Sequence, residues 1–258
     1  MGILPNITAH AGCEGTASGS ISSVYDGLRL RADFVEVDVR RTQQGELVLS
    51  HDRLTEENYR SCVRLSQVLE LVKGFKMVGV NCDIKEEDIL YDVLDLSERI
   101  GLGHEQILLS GSVTPSALKS DPSIVKRANV LLNIEEILKE LCMSRLPADA
   151  ADIAALPPWE VVRRYIPDTS AYFDDVVNIC LSSEVRAINM PYRPPISEFL
   201  PRFRAAGVPI SVWTVDKPED IESILREGVY NITTRKVRLV LEARKNYAAQ
   251  EKYPRLTD

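Results

Sequence analysis

Phe34-Val35-Glu36-Val37-Asp38-Val39 alternates apolar with acidic residues, and Val78-Gly79-Val80-Asn81-Cys82-Asp83-Ile84-Lys85 repeats the habit further along the chain. In an extended segment residues i and i+2 share a face. Glu36 therefore stands beside Asp38, and Asp83 beside Lys85, each pair on one side of a strand. Strands buried on both faces normally read as unbroken Val, Ile and Leu. Charges interrupting such runs mark strands that carry something besides core, and two carboxylates on one face repel unless a cation stands between them.

Working outward, short β-branched runs alternate with amphipathic segments along the chain. Strands are expected at Ile7–His10, Phe34–Val39, Val78–Ile84, Gln106–Leu109, Val130–Leu132, Ala187–Met190, Pro209–Val215 and Tyr230–Thr233, and Gly45–Ser50 is extended into His51. Helices are expected at Ser20–Leu30, with Ile21, Val24, Tyr25 and Leu28 on one side, and at Leu65–Val72, Asp88–Ile100, Ile134–Leu141, Ser197–Ala206 and Pro218–Arg226. A last helix begins near Arg235. Eight strands alternating with helices fit an α/β (β/α)8 barrel, the TIM barrel, as a single domain over residues 1–258. An open doubly wound sheet is the alternative, because alternation alone does not prove closure. Residues 143–185, with Pro147, Pro157, Pro158 and Pro167 around a helix near Glu160–Tyr165, read as an elaborated connection rather than a second domain.

The chain has 258 residues, 45% of them hydrophobic, and a formal net charge of −7. Its pI near 5.2 argues against a nucleic-acid or anionic-membrane partner. Arg40-Arg41 and the Lys236–Lys245 stretch read as solvated faces. No secretory signal, myristoylation pattern or membrane-spanning run is legible. Cys13, Cys62, Cys82, Cys142 and Cys180 are an odd set without C-x-x-C spacing, which suits a reduced, cytoplasmic protein better than a disulfide framework or a zinc site.

In a barrel of this kind functional groups gather at the carboxyl ends of the strands. His10 ends the first strand, Asp38 lies near the end of the second and Lys85 ends the third, with His51-Asp52 after the extended segment. Glu36, Asp38 and Asp83 against Lys85 leave about two negative charges to be balanced, and an unpaired buried charge costs several kcal/mol. One divalent cation closes that balance, and an all-oxygen donor set favours Mg2+ or Ca2+. A plain buried ion-pair cluster centred on Lys85 is the structural alternative. An imidazole ordinarily titrates near neutral pH, so two histidines suit proton transfer beside such a site, here His10 and His51, and Lys85 suits an anionic oxygen. Together these groups describe displacement at a phosphodiester, with a small-molecule diester as the partner. His104, between a helix and a strand, falls on the amino-terminal side of the barrel and reads as a surface turn residue.

The ordered motifs resemble the glycerophosphodiester phosphodiesterase family. Carrying the resemblance are Ala9-His10-Ala11-Gly12, Arg31-Ala32-Asp33-Phe34-Val35-Glu36-Val37-Asp38-Val39, Gln44-Gly45-Glu46, Ser50-His51-Asp52 and Asn81-Cys82-Asp83-Ile84-Lys85. Val212-Trp213-Thr214-Val215-Asp216 and Gly228-Val229-Tyr230-Asn231-Ile232 are similar to the family's last two strands. The resemblance implies a metal-dependent (β/α)8 barrel that cleaves glycerophosphodiesters to sn-glycerol 3-phosphate and an alcohol. It implies His10 and His51 as the catalytic acid/base pair, Glu36, Asp38 and Asp83 as metal ligands, and Lys85 as a phosphate contact. Trp213 would line the pocket, with barrel core as its other reading.

Three departures stand out. Ala11 replaces the arginine that follows the family's first histidine. Ala17-Ser18-Gly19-Ser20 replaces its Pro-Glu-Asn-Thr helix start while keeping capping hydroxyls. Only a short stretch joins His51 to the helix at Leu65, where the family inserts a small capping subdomain, so a more open site is expected. Sphingomyelinase D-type toxins are also similar at the Asp-x-Lys strand, which makes a lyase forming a cyclic phosphate the alternative enzyme. A non-catalytic barrel binding a phosphorylated ligand is the alternative of another class.

Overall fold

The ring that the sequence predicts closes. The structure, a computed structural model, describes residues 4–55, 57–193 and 199–252. Its strands are β1 (Asn6–Ala9), β2 (Phe34–Arg41), β3 (Leu47–Leu49), β4 (Gly79–Ile84), β5 (Ile107–Gly111), β6 (Asn129–Asn133), β7 (Ala187–Pro191), β8 (Ile210–Trp213) and β9 (Asn231–Thr234). β1 pairs in parallel with both β2 and β9, so the eight parallel strands form a barrel rather than an open sheet. β3 stands outside the ring, antiparallel to the end of β2, with Val39 opposite Leu49. That hairpin delivers Ser50 and His51 to the carboxyl end of the barrel.

Register explains the charged interruptions. Glu36 lies opposite Asn81 and Asp38 opposite Asp83; Asp83 in turn lies opposite Ser110. Asn133 pairs with Asn189, Asn189 with Ser211 and Ser211 with Asn231. Every second residue thus points into the barrel, and the interior changes character along its axis. Phe34, Leu108, Leu131 and Ala187 form a small apolar cluster of their own. Glu36, Ser110, Asn133 and Asn189 follow them two residues on, and Asn81 follows Gly79 in the same way, toward the carboxyl ends. The other face of the same strands (Val35, Val37, Val80, Cys82, Leu109, Val130, Ile188, Val212) joins the large core beneath the helices. On the interior side Thr8, opposite Phe34, donates through Oγ1 to Asn231 Oδ1 at 2.8 Å, and Asn231 Nδ2 donates to Ser211 Oγ at 3.0 Å, a buried polar tie across β1, β9 and β8.

The helices are α1 (Ile21–Leu30), α2 (Leu65–Lys73), α3 (Leu90–Ile100), α4 (Pro115–Ser120), α5 (Ile124–Arg127), α6 (Ile134–Arg145), α7 (Ala150–Ala154), α8 (Pro158–Tyr165), α9 (Phe173–Ser182), α10 (Leu200–Ala205), α11 (Pro218–Arg226) and α12 (Val237–Lys252). Ser20 caps α1 by accepting the Ser23 N–H at 3.2 Å, the hydroxyl cap expected of Ala17–Ser20. The buried face of α1 differs from the expected one. Val24 and Leu28 are buried with Ser23 and Gly27, whereas Ile21 and Tyr25 are 41% and 54% exposed. Gly27 explains the shift: a Cβ there would lie 2.6 Å from Val35 Cγ1, so the helix sits on the barrel through its glycine edge.

α4 and α5 are too short for a periodic signal and appear only in the structure. Three helices, α7, α8 and α9, lie within residues 143–185, where the sequence suggests one. The helix expected over Ser197–Ala206 begins at Leu200, and 194–198 lie outside the described residues. No helix among the described residues is long and apolar enough to cross a membrane.

Candidate active site

Barrel closure gathers the motif residues around one cavity of about 900 Å³ at the carboxyl ends of the strands. His10, Glu36, Asp38, His51, Asp83, Lys85 and Trp213, the seven residues singled out from the sequence, all line it. Glu36, Asp38 and Asp83 each offer a carboxylate oxygen, and these atoms lie within 4.8 Å of one another. Lys85 Nζ lies 2.7 Å from Asp38 Oδ1 and also contacts Asp83, so its charge is committed to the acid cluster. Ser110 Oγ donates to Asp83 Oδ1 at 2.9 Å. The next residue must be glycine: a Cβ on Gly111 (φ +79°) would lie 2.2 Å from the Ile84 carbonyl and 2.6 Å from Asp83 Oδ1.

The electrostatics fit a cation that the chain itself does not supply. Glu36 is buried, its Oε2 accepts the Ala11 N–H at 2.6 Å, and burial, then Asp38 and Asp83, hold its pKa well above the carboxylate range. Burial opposes a charged Lys85, but Asp83 and Asp38 outweigh it and raise the pKa of the amine. Asp38 Oδ2 is buried without a hydrogen-bond partner. The three carboxylates, one of them with an orphaned oxygen, outnumber the single ammonium and form a hard, oxygen-only donor set suited to a divalent ion such as Mg2+ or Ca2+.

The two histidines are held differently. His10 Nδ1 lies 2.9 Å from the Ala11 carbonyl, an acceptor only, so Nδ1 carries the hydrogen and Nε2 presents its lone pair. Burial lowers the pKa of His10, which favours the neutral ring. His51 is more open, 67% exposed at the side chain, with Nδ1 3.0 Å from Asp52 Oδ1. Arg40 fixes its loop: Nη2 donates to the His51 carbonyl at 3.1 Å while Nη1 donates to Glu86 Oε1 at 3.0 Å. His104 lies before β5, its Nε2 3.1 Å from the Val125 carbonyl oxygen, and does not line the cavity.

Several lining residues escape sequence reasoning. Glu135 and Glu136, in the first turn of α6, face the cavity, as do Asn133, Asn189, Trp159 and Arg235. Arg235 follows β9 and is held by Asp216, which accepts its backbone N–H at 2.8 Å. The signal for Asn133-Ile134-Glu135-Glu136 is the one that finds Asp83 and Lys85, polar residues at a strand's carboxyl end; a helical first turn conceals it, because acids are ordinary there.

Residues 10–238 match the sequence profile of the Glycerophosphoryl diester phosphodiesterase family. The chain belongs to this family. Its members are phosphoric diester hydrolases, and the profile spans every strand from β2 to β9 together with both histidines. A glycerophosphodiester phosphodiesterase of Caldanaerobacter subterraneus subsp. tengcongensis is 24% identical over 240 residues, 88% of this chain and 93% of the relative. Among solved structures, a glycerophosphodiester phosphodiesterase from Parabacteroides distasonis superposes with a TM-score of 0.65 at 18% identity, covering 97% of this chain and all of that one. A phosphodiesterase from Oleispira antarctica, solved with sn-glycerol-3-phosphate, superposes at 0.63 and 15% identity over 93% of this chain and 96% of that one. These structural likenesses establish the barrel.

Proposed function

We propose that this protein hydrolyses a glycerophosphodiester to sn-glycerol 3-phosphate and an alcohol, using one divalent cation, Mg2+ or Ca2+, held by Glu36, Asp38 and Asp83. The observation that carries this reading is the convergence of three carboxylates, a lysine and two differently held histidines on one cavity. The name of the Caldanaerobacter relative and the product bound by the Oleispira enzyme support it. When bound, the cation supplies positive charge to the phosphoryl oxygens and offsets the carboxylates.

His10 Nε2, neutral and unprotonated, takes the proton from a water whose oxygen bonds to phosphorus. As the ester bond to the alcohol breaks, protonated His51 gives a proton to the departing oxygen, and Asp52 orients its ring. Lys85 keeps part of the acid cluster neutral and offers its remaining donor to a phosphate oxygen. Trp213 Nε1 is buried without an acceptor, so it is free to donate to the substrate. Ala11 leaves no guanidinium after β1, and Arg235, which follows neighbouring β9 and lies 3.4 Å through Nη1 from Asp216 Oδ2, brings a guanidinium to the same cavity.

We read residues 1–258 as one domain, with the connection at about 143–185 forming part of the cavity wall through Pro158 and Trp159. All five cysteines are free thiols, which supports a cytoplasmic location.

The test is turnover of a glycerophosphodiester panel by the metal-loaded wild type, H10A and H51A, with products followed by phosphorus NMR. Each substitution is expected to lower kcat by roughly 10²- to 10⁴-fold. Wild-type rates in both variants would contradict the roles assigned, and accumulation of a cyclic phosphate would indicate the lyase instead.

A further inference from the structure

The proton donor of the proposed hydrolysis sits on a weakly tied loop. The His51 ring is exposed, and its polar contact among the described residues is to Asp52, which is more exposed still. Neither contact fixes the ring relative to the acid cluster. Ser50 N–H donates to the Asp38 carbonyl at 3.0 Å, while Ser50 Oγ turns back within the loop to the Asp52 carbonyl at 2.8 Å. Among the described residues, residues 51–54 have only two hydrogen bonds to the barrel. Arg40 donates both to the His51 carbonyl, from Nε at 3.3 Å and from Nη2 at 3.1 Å.

From the sequence, Arg40-Arg41 reads as a solvated face. Arg41 keeps to that reading in part, paired with Asp88 and Asp92 beside the start of α3. Arg40 departs from it, with a side chain only 14% exposed. Residues i, i+2 and i+4 of a strand share a face, so Arg40 continues the row of Glu36 and Asp38 toward the mouth of the barrel. Its Nη1 donates to Glu86 Oε1 at 3.0 Å, and Glu86 Oε2 accepts the Arg41 N–H at 3.3 Å. Glu86 lies two residues past the end of β4. One guanidinium therefore joins three segments: β2 with Glu36 and Asp38, the end of β4 with Asp83, and the loop with His51.

An ion pair near the surface contributes about 0–1 kcal/mol and calls for no function. That accounts for Arg40 against Glu86. It does not account for two further donors of the same side chain converging on one backbone carbonyl. A planar guanidinium has donors on both edges, so it can grip a carboxylate on one side and a carbonyl on the other. The ammonium of a lysine is a point charge without that fork.

We propose that Arg40, anchored by Glu86, is the positioning residue that sets the His51 imidazole against the departing oxygen, so that the strands bearing Asp38 and Asp83 also fix the place of the proton donor. Neither Arg40 nor Glu86 lines the cavity, and both act through His51 rather than on the substrate. Proton transfer needs donor and acceptor within about 3 Å. A displacement of about 1 Å from that geometry lowers the rate by roughly 10²-fold.

Arg40 can act in this way only if His51 is the general acid of the proposed hydrolysis, and a change of leaving group tests the two separately. Metal-loaded wild type, H51A, R40A, R40K and E86A are assayed on the ethyl and p-nitrophenyl diesters of sn-glycerol 3-phosphate, with melting curves showing that each variant is folded. An ethyl ester needs a proton on its departing oxygen, whereas p-nitrophenolate leaves as the anion and gains little from an acid. In R40A the ratio of ethyl to p-nitrophenyl kcat is expected to fall roughly 10- to 100-fold with KM unchanged, in the direction set by H51A. E86A is expected to lower the ratio less, and R40K to follow R40A. An unchanged ratio in R40A, or a wild-type ratio in R40K, would overturn the positioning role. A ratio that falls in H51A but not in R40A refutes the positioning alone. A ratio unchanged in H51A refutes the acid role of His51 and the positioning with it.

Discussion

Replacing Glu135 by glutamine is expected to stabilise the metal-free protein, by an amount that grows with pH. The carboxyl is buried, and burial raises its pKa from the ordinary 4.5 to about 8 in the folded state. A folded-state pKa above the unfolded one means that the native protein holds more protons than the unfolded chain between these two values. Stability therefore falls as pH rises through that window. Integrated to pH 7, the linkage amounts to about 3 kcal/mol of lost stability. Glutamine keeps an oxygen to accept the Asn133 Nδ2–H and does not ionise. E135Q should thus match the wild type near the acid end, at about pH 4.5, and exceed it by about 3 kcal/mol near pH 7. At about 2–4 °C per kcal/mol for a chain of this size, Tm rises by roughly 10 °C. Thermal melts of EDTA-treated wild type and E135Q across this pH range read the difference directly. A gap that does not widen with pH, or an E135Q that is less stable at pH 7, would refute the buried, unpaired carboxylate on which the reasoning depends.

Other predictions follow from single contacts. G111A should push the backbone at Ile84 and the Asp83 carboxylate out of place, lowering Tm and weakening divalent-metal binding together; a variant with unchanged metal affinity would show that Asp83 does not need this close approach. N231A removes the acceptor of Thr8 Oγ1 and the donor to Ser211, so urea unfolding should show a loss of about 1–3 kcal/mol. S20A removes the cap of α1 and should cost about 1 kcal/mol by the same assay, without altering turnover.

The barrel was legible because its strands carry their own signature. Each run of Val, Ile or Leu begins or ends near a glycine or a polar residue, and Glu36, Asp38 and Asp83 mark the carboxyl ends by breaking the apolar pattern. Closure was not legible, since it depends on β1 meeting β9, a contact between the two ends of the chain that alternation cannot reveal. The buried face of α1 is not legible because Gly27, with no side chain to count as apolar, sits against Val35 and Ala9. At the site, spacing exposed the residues on β2 and β4, where i and i+2 share a face. Glu135 and Glu136 stayed hidden because helical first turns commonly carry acids, and only the register of Asn133 with Asn189 puts them beside a cavity. Arg235 stayed hidden because it lies near Ala11 in space but at the far end of the sequence.

The central claim is that the Glu36, Asp38 and Asp83 cluster works with a divalent cation to hydrolyse a glycerophosphodiester. The most direct test is release of sn-glycerol 3-phosphate by EDTA-treated protein titrated with Mg2+ and Ca2+, with Tm measured in the same samples. The account predicts that one of these ions restores turnover and stabilises the wild type by about 2.7 kcal/mol at a hundredfold excess over Kd, and that both effects vanish in E36A. Full turnover by the stripped protein, or restored turnover in E36A equal to wild type, would contradict it.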